Sequence, residues 1–247
     1  MQPIMINTIV MLGEKQMDQR AFVKRLAQAG PVIEGVEIRQ ELLPADEDTR
    51  KAFFLELLET GTQKDWQFFY SVPQSLFTNQ GLNPQLESWL AEAAAFKAAS
   101  VKVNIGEVAG IAAVEPTELA ALLAKYQVRL TIENDQTEAN GRLKPVTEAV
   151  AAVAKGQLPI GYTFDVGNWL VMEEDLDLAF AQLKEKMTVL HLKNIDEKLE
   201  TTLLDEGTAA WQSYLPKEVP VILEYPMAFA AIADEVAKTR AALAQHS

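Results

Sequence analysis

The chain has 247 residues, 49% of them hydrophobic and 8% aromatic, with no cysteine and a formal net charge of −13. That composition provides a large core and excludes a disulfide framework, a cysteine-ligated zinc site and a cysteine nucleophile. The negative field opposes binding to nucleic-acid phosphates and to anionic membranes, and no apolar run approaches the ~18 residues that would span a bilayer.

The N-terminal stretch "MQPIMINTIVMLG" lacks a basic lead and a small-residue cleavage site. It reads as a first strand, and a soluble cytoplasmic protein is expected. Short runs rich in Val, Ile, Leu and aromatics then recur: 6–12, 33–39, 66–72, 100–106, 128–134, 160–166, 188–194 and 219–225. Between them lie Ala/Leu/Glu/Lys segments of helical periodicity, at 17–28, 47–59, 83–98, 117–126, 143–154, 175–185 and 230–244. The segment 207–214, after the seventh strand, is the weakest helix of the series. Taking Val10, Arg39, Ser71, Asn104, Glu133, Asp165, His191 and Glu224 as strand ends, successive ends fall 26 to 33 residues apart. A βαβ unit needs roughly 30 residues. Eight such units predict an α/β fold, a single-domain (β/α)₈ TIM barrel over residues 1–247. An open doubly wound sheet is the runner-up, but no G-x-G-x-x-G follows the first strand.

Alternate side chains of a strand face opposite ways. In the second strand Val36 and Ile38 oppose Glu37 and Arg39. In the fourth, Val101, Val103 and Ile105 oppose Lys102 and Asn104. In the fifth, Leu130 and Ile132 oppose Thr131 and Glu133. Thr163 and Asp165 share a face of the sixth, His191 and Lys193 of the seventh, and Ile222 and Glu224 of the eighth. If the apolar set packs on the helices, the polar set points into the barrel. It also clusters at the C-terminal strand ends, where barrel active sites are built. Buried charge is costly unless paired or bound to metal. Glu133, Asp165, His191 and Glu224 supply three carboxylates and one imidazole. That donor set suits one divalent ion, Mn²⁺, Mg²⁺ or Co²⁺ first, with zinc also admissible.

The segments "TIEND" (131–135), "TFDVGN" (163–168), "HLKN" (191–194) and "ILEY" (222–225) resemble, in order, the xylose isomerase-like barrels of sugar isomerases and epimerases. Ketose 3-epimerases and hydroxypyruvate isomerase-like proteins are the nearest groups in size. "VEIRQEL" (36–42) resembles the epimerase-like proteins of 2-ketogluconate utilisation. The resemblance implies that Glu133, Asp165, His191 and Glu224 hold the metal and that Glu133 and Glu224 also act as the acid/base pair. The implied reaction is proton transfer next to a carbonyl through an enediolate, on a ketose, sugar acid or keto-sugar acid. A dehydratase of a polyol or keto-acid on the same site is the alternative. A non-catalytic sugar-acid-binding barrel is another, though it has no reason to keep both glutamates.

Two positions depart from the family pattern. Asn168 stands where a histidine often touches substrate, and Asn194 stands where an acidic residue is usual. With only two histidines in the chain, His191 and His246, a trinuclear zinc endonuclease is not expected. Substrate contacts are expected from Glu37, Arg39, Lys102, Asn168 and Lys193. The three cations read first as ion-pair partners of Glu37, Glu41 or the ligand carboxylates, with the seat of an anionic substrate as the alternative. Trp169 is a candidate cap on a sugar's apolar face. The run "MEEDLD" (172–177) reads as a helix start. The expected partner is a small molecule, with neither nucleic acid nor membrane, and a homo-oligomer is left open.

Overall fold

In a computed structural model describing residues 2–14 and 17–245, the predicted strands run parallel. They are β1 (Ile4–Asn7), β2 (Gly35–Arg39), β3 (Gln67–Thr78), β4 (Ala98–Gly106), β5 (Arg129–Glu133), β6 (Ile160–Asp165), β7 (Met187–Leu192) and β8 (Val221–Leu223). Their order is β2-β1-β8-β7-β6-β5-β4-β3, and pairing of β2 with β3 closes the ring. The fold is a single (β/α)₈ barrel. Val10, expected to end the first strand, lies instead in a 3₁₀ turn, Thr8–Gly13. His246 falls outside the described residues.

The helices are α1 (Gln19–Ala29), α2 (Glu47–Lys64), α3 (Leu86–Ala95), α4 (Pro116–Tyr126), α5 (Leu143–Lys155), α6 (Val166–Val171), α7 (Leu176–Leu183) and α8 (Ile232–Gln245). Several start where an aspartate accepts from a free backbone N–H. Asp18 caps α1, Asp46 caps α2 and Asp175, inside the acidic run, caps α7. Each such cap is worth about 1 kcal/mol.

The weak helix at 207–214 does not form. A short hairpin (Asn194–Ile195 with Thr201–Thr202) and two 3₁₀ turns, Leu204–Glu206 and Trp211–Tyr214, take its place. The reason is local. Gly207 and Pro216 bracket a run too short for a stable helix. The carbonyls of Leu204 and Ala209 accept from the Asn194 side chain rather than from a following turn.

Strand parity decides the layers. Val36, Ile38, Val101, Val103, Leu130, Ile132, Leu190 and Leu192 are buried between barrel and helices, in the main core. Inside the barrel the only buried apolar cluster described is Met5, Phe69, Val189 and Ile222, near the N-terminal strand ends. Above that plug the interior is polar: Asn7, Glu37, Ser71, Lys102, Thr131, Thr163, His191 and Glu224 are all buried.

Candidate metal centre and active site

Each candidate ligand sits where its strand ends. Glu133 is the last residue of β5 and Asp165 the last of β6. His191 lies one residue from the end of β7, paired in register with Asp165 and Ile222, and Glu224 follows β8 directly. Parity turns all four inward. One ligand atom from each lies within 4.8 Å of the others, and all four residues are buried. His191 Nδ1 is the hub: it is 2.6 Å from Glu133 Oε1, 3.1 Å from Glu224 Oε2 and 4.0 Å from Asp165 Oδ2.

The other carboxylate oxygens are held by fixed donors. Lys102 Nζ donates to Glu133 Oε2 at 2.6 Å. Arg39 donates to Glu224 Oε1 at 2.9 Å, and Asn7 Nδ2 donates to the same oxygen at 3.1 Å. Asp165 Oδ1 accepts the Asn168 N–H and so caps α6, which leaves Oδ2 facing the cluster. There Lys193 Nζ donates to Asp165 Oδ2 at 2.7 Å and to Glu224 Oε2 at 3.3 Å. The Lys193 stem lies over Gly167, where a Cβ would come within 2.2 Å of Lys193 Cγ.

The electrostatics follow from this packing. Burial opposes ionisation of Glu133, but the charges of Lys102 and His191 outweigh it and hold the carboxyl below its ordinary range. Burial likewise opposes ionisation of Glu224, and His191 with Lys193 holds it well below. At Asp165 burial prevails, reinforced by the Glu224 and Glu133 charges against Lys193, and the carboxyl is pushed up to about 7. Burial works against a charged His191, yet the surrounding Glu37, Glu224 and Glu133 raise it well above its ordinary value. Lys102 is raised too, because Glu133 and Glu224 overcome its burial.

Three carboxylates crowding one imidazole need positive charge among them. Glu133 Oε1 is buried and makes no aligned hydrogen bond, its neighbour being His191 Nδ1 at 2.6 Å. A convergent, buried set of three carboxylates and one imidazole fits a divalent cation, which Glu133, Asp165, His191 and Glu224 would hold.

The cluster opens on a cavity of about 420 Å³ at the C-terminal mouth. Arg39, Lys102, Asn104, Glu133, Asn168, Lys193 and Glu224 line it. A somewhat larger cavity, about 510 Å³, opens at the opposite end beside Ser100, Leu123 and Thr188. Its lining gathers no comparable cluster of carboxylate and imidazole groups.

No family model matches the sequence, and no curated protein matches it either. Solved structures do match along its length. A xylose isomerase domain-containing protein from Salmonella typhimurium LT2 has a TM-score of 0.68 at 12% identity, with 99% of this chain and 98% of that chain covered. The shared fold is the (β/α)₈ barrel. A D-tagatose 3-epimerase-like protein matches with a TM-score of 0.70 at 12% identity, covering 99% of each chain. The IolI protein, solved with a bound zinc atom, gives the same TM-score, identity and coverage. At such identities the likeness is one of fold.

Within this (β/α)₈ barrel the expected substrate residues separate into two groups. Arg39, Lys102, Asn168 and Lys193 reach the cavity. Glu37 is fully buried and faces Asn7 and His191 instead. Asn168 has both ends of its amide in use, donating to the Asn134 carbonyl and accepting from Gln136 Nε2. Asn194 points away from the metal cluster, into the loop after β7. Trp169 does not cap the mouth. It is completely buried and packs against Phe164, with ring centroids 5.9 Å apart, because α6 turns it into the helix–barrel core.

The cavity also recruits Asp135, Gln136, Thr137 and Thr201. Sequence reasoning stopped at the strand ends and passed over these loop residues. The only signal was the polar run that continues "TIEND".

Proposed function

We propose that this chain is a divalent-metal-dependent epimerase or isomerase acting on a ketose, sugar acid or keto-sugar acid. The carrying observation is the convergence of Glu133, Asp165, His191 and Glu224 under a mouth cavity whose volume accommodates a small sugar. Sugar-epimerising neighbours of the same fold support the reading. Glu133, Asp165, His191 and Glu224 would hold the ion, which when bound supplies Lewis-acid polarisation of the substrate carbonyl.

The chain's own residues do the rest. Glu133 and Glu224 project from strands separated by β6 and β7, so they approach the cavity from two sides. Glu133 has one oxygen fixed by Lys102 and the other beside His191 Nδ1, whereas Glu224 has Arg39 and Asn7 on Oε1 and His191 and Lys193 on Oε2. Lys102, Lys193 and His191 favour their ionised forms, as a base requires. One glutamate removes the proton next to the carbonyl. The other enters the cycle carrying a proton taken from solvent and delivers it on the opposite face; one centre is inverted and the two glutamates end with exchanged protonation. Arg39, Lys102 and Lys193 orient the substrate's oxygen atoms around the cavity.

Incubating candidate ketoses and keto-sugar acids with metal-loaded protein in D₂O tests the proposal. Deuterium incorporated beside the carbonyl without loss of water is expected, whereas an unsaturated product would assign a dehydratase. Glu133→Gln and Glu224→Gln should each lower turnover by about 10²- to 10⁴-fold. A variant of either glutamate that turns over at the parental rate refutes the two-base scheme.

A further inference from the structure

Glu37 is poorly placed for substrate. It lies in the polar layer below the mouth, is completely buried, and has its Oε2 3.1 Å from His191 Nε2. Asn7 Nδ2 donates to that same Oε2 at 2.5 Å and to Glu224 Oε1 at 3.1 Å. Thus β1, β2, β7 and β8 each contribute one side chain to a buried chain running from Glu37 through His191 and Asn7 to Glu224.

The two ends of the imidazole have different surroundings. Nδ1 meets three carboxylates of the proposed ligand set. Nε2 is buried, forms no aligned hydrogen bond, and has Glu37 as its ionic neighbour. Glu37 Oε1 is also buried without a partner. An Nε2–H aligned with Glu37 Oε2, already 3.1 Å away, would satisfy the buried ring nitrogen. A histidine whose Nε2 carries the proton presents a lone pair at Nδ1, the side that faces the cluster. Carboxylates in this position fix tautomer and ring orientation and make the imidazole a better ligand.

We propose that Glu37 is a positioning residue: it holds His191 as the Nε2–H tautomer so that Nδ1 is the metal-binding atom. The proposal rests on the metal-site reading of the cluster. It removes Glu37 from the substrate contacts and gives β2 a structural part in the metal centre.

The test uses the full chain, stripped of metal and titrated with Zn²⁺ or Co²⁺ by calorimetry. Glu37→Gln keeps the shape but not the charge, and should bind either ion about 10- to 100-fold more weakly than the parent. Glu37→Asp, which keeps the charge, should recover part of that loss. Folding of each variant is checked by circular dichroism and thermal unfolding. Because the chain has only two histidines, ¹⁵N-histidine labelling gives a second readout, with His246→Gln assigning the tail signal. In the zinc-loaded parent, His191 should show a protonated Nε2 and a metal-bound Nδ1, and the Nε2 signal should shift in Glu37→Gln. Metal on Nε2 with a protonated Nδ1 overturns the proposal. So does a folded Glu37→Gln that binds Zn²⁺ and Co²⁺ within twofold of the parent. A parent that binds neither ion overturns the metal-site reading itself, and this inference falls with it.

Discussion

Asn194→Asp restores the residue type that the strand-seven pattern usually carries, and it should be strongly destabilising. The Asn194 amide donates twice, to Leu204 O at 2.8 Å and Ala209 O at 3.0 Å. Its oxygen accepts from Ile195 N at 3.0 Å and Ala209 N at 3.1 Å. Gly207 packs directly on it, where a Cβ would lie 2.2 Å from Asn194 Cγ. An aspartate keeps both acceptances and loses both donations. It also places a carboxylate oxygen against two carbonyls with no room to turn away. Each lost partner costs about 1–3 kcal/mol at a buried site, so a loss of about 3–5 kcal/mol is expected. For a chain of this length that lowers Tm by roughly 8–15 °C. The buried carboxyl of the variant would have its folded-state pKa raised, so its cost is present above that pKa and shrinks as pH falls. Thermal unfolding of parent and variant at pH 8 and pH 5 measures both effects. A variant within 1 kcal/mol of the parent at pH 8, or one penalised more at pH 5, would refute this account of the position.

Two further outcomes follow from the same geometry. Metal-free His191 is raised well above its ordinary value and Asp165 is pushed up to about 7, so both bind protons that a metal must displace. Apparent affinity for a divalent ion should therefore rise from pH 6 to pH 8. Calorimetry in buffers of different ionisation heat should register proton release on binding, and a pH-independent affinity would contradict it. Gly167→Ala should fold, since the residue lies in the first turn of α6, but its Cβ would come 2.2 Å from Lys193 Cγ and 2.6 Å from Cε. Lys193 would have to leave Asp165. Substrate KM should rise several-fold while Tm changes by only a few degrees, and an unchanged KM would remove Lys193 from substrate binding.

The barrel was legible because its two periodicities do not overlap. Period-two runs such as "VKVNI" and period-3.6 runs such as 143–154 alternate with nearly constant spacing. The convergence of Glu133, Asp165, His191 and Glu224 was legible for a related reason. An inward charged residue at a strand end contradicts simple core packing, and four such contradictions fell on neighbouring strands. Loop chemistry was not legible. Nothing local told that Asn194 would spend its amide on carbonyls ten and fifteen residues away, or that Gln136 would meet Asn168. Those contacts depend on where the loops land, and the landing is set by the whole ring. Trp169 failed for a similar reason: its place depends on the direction α6 takes after Asp165, not on its distance from the strand end.

The division of labour between the two layers explains how one small barrel tolerates so much buried charge. Apolar burial is concentrated between strands and helices, and among the described residues a small cluster around Met5, Phe69, Val189 and Ile222 plugs the interior from below. Substitutions in the polar interior therefore leave most of the hydrophobic stabilisation in place. Their cost comes from unpaired charge, because each carboxylate there has a specific partner: Lys102 for Glu133, Lys193 for Asp165, Arg39 and Asn7 for Glu224. Removing one cation leaves a buried anion behind, which is more damaging than removing the pair. Lys102→Met should accordingly destabilise the metal-free chain more than the double variant Lys102→Met/Glu133→Gln does. Bound metal should narrow that difference, since it offers Glu133 a second source of positive charge.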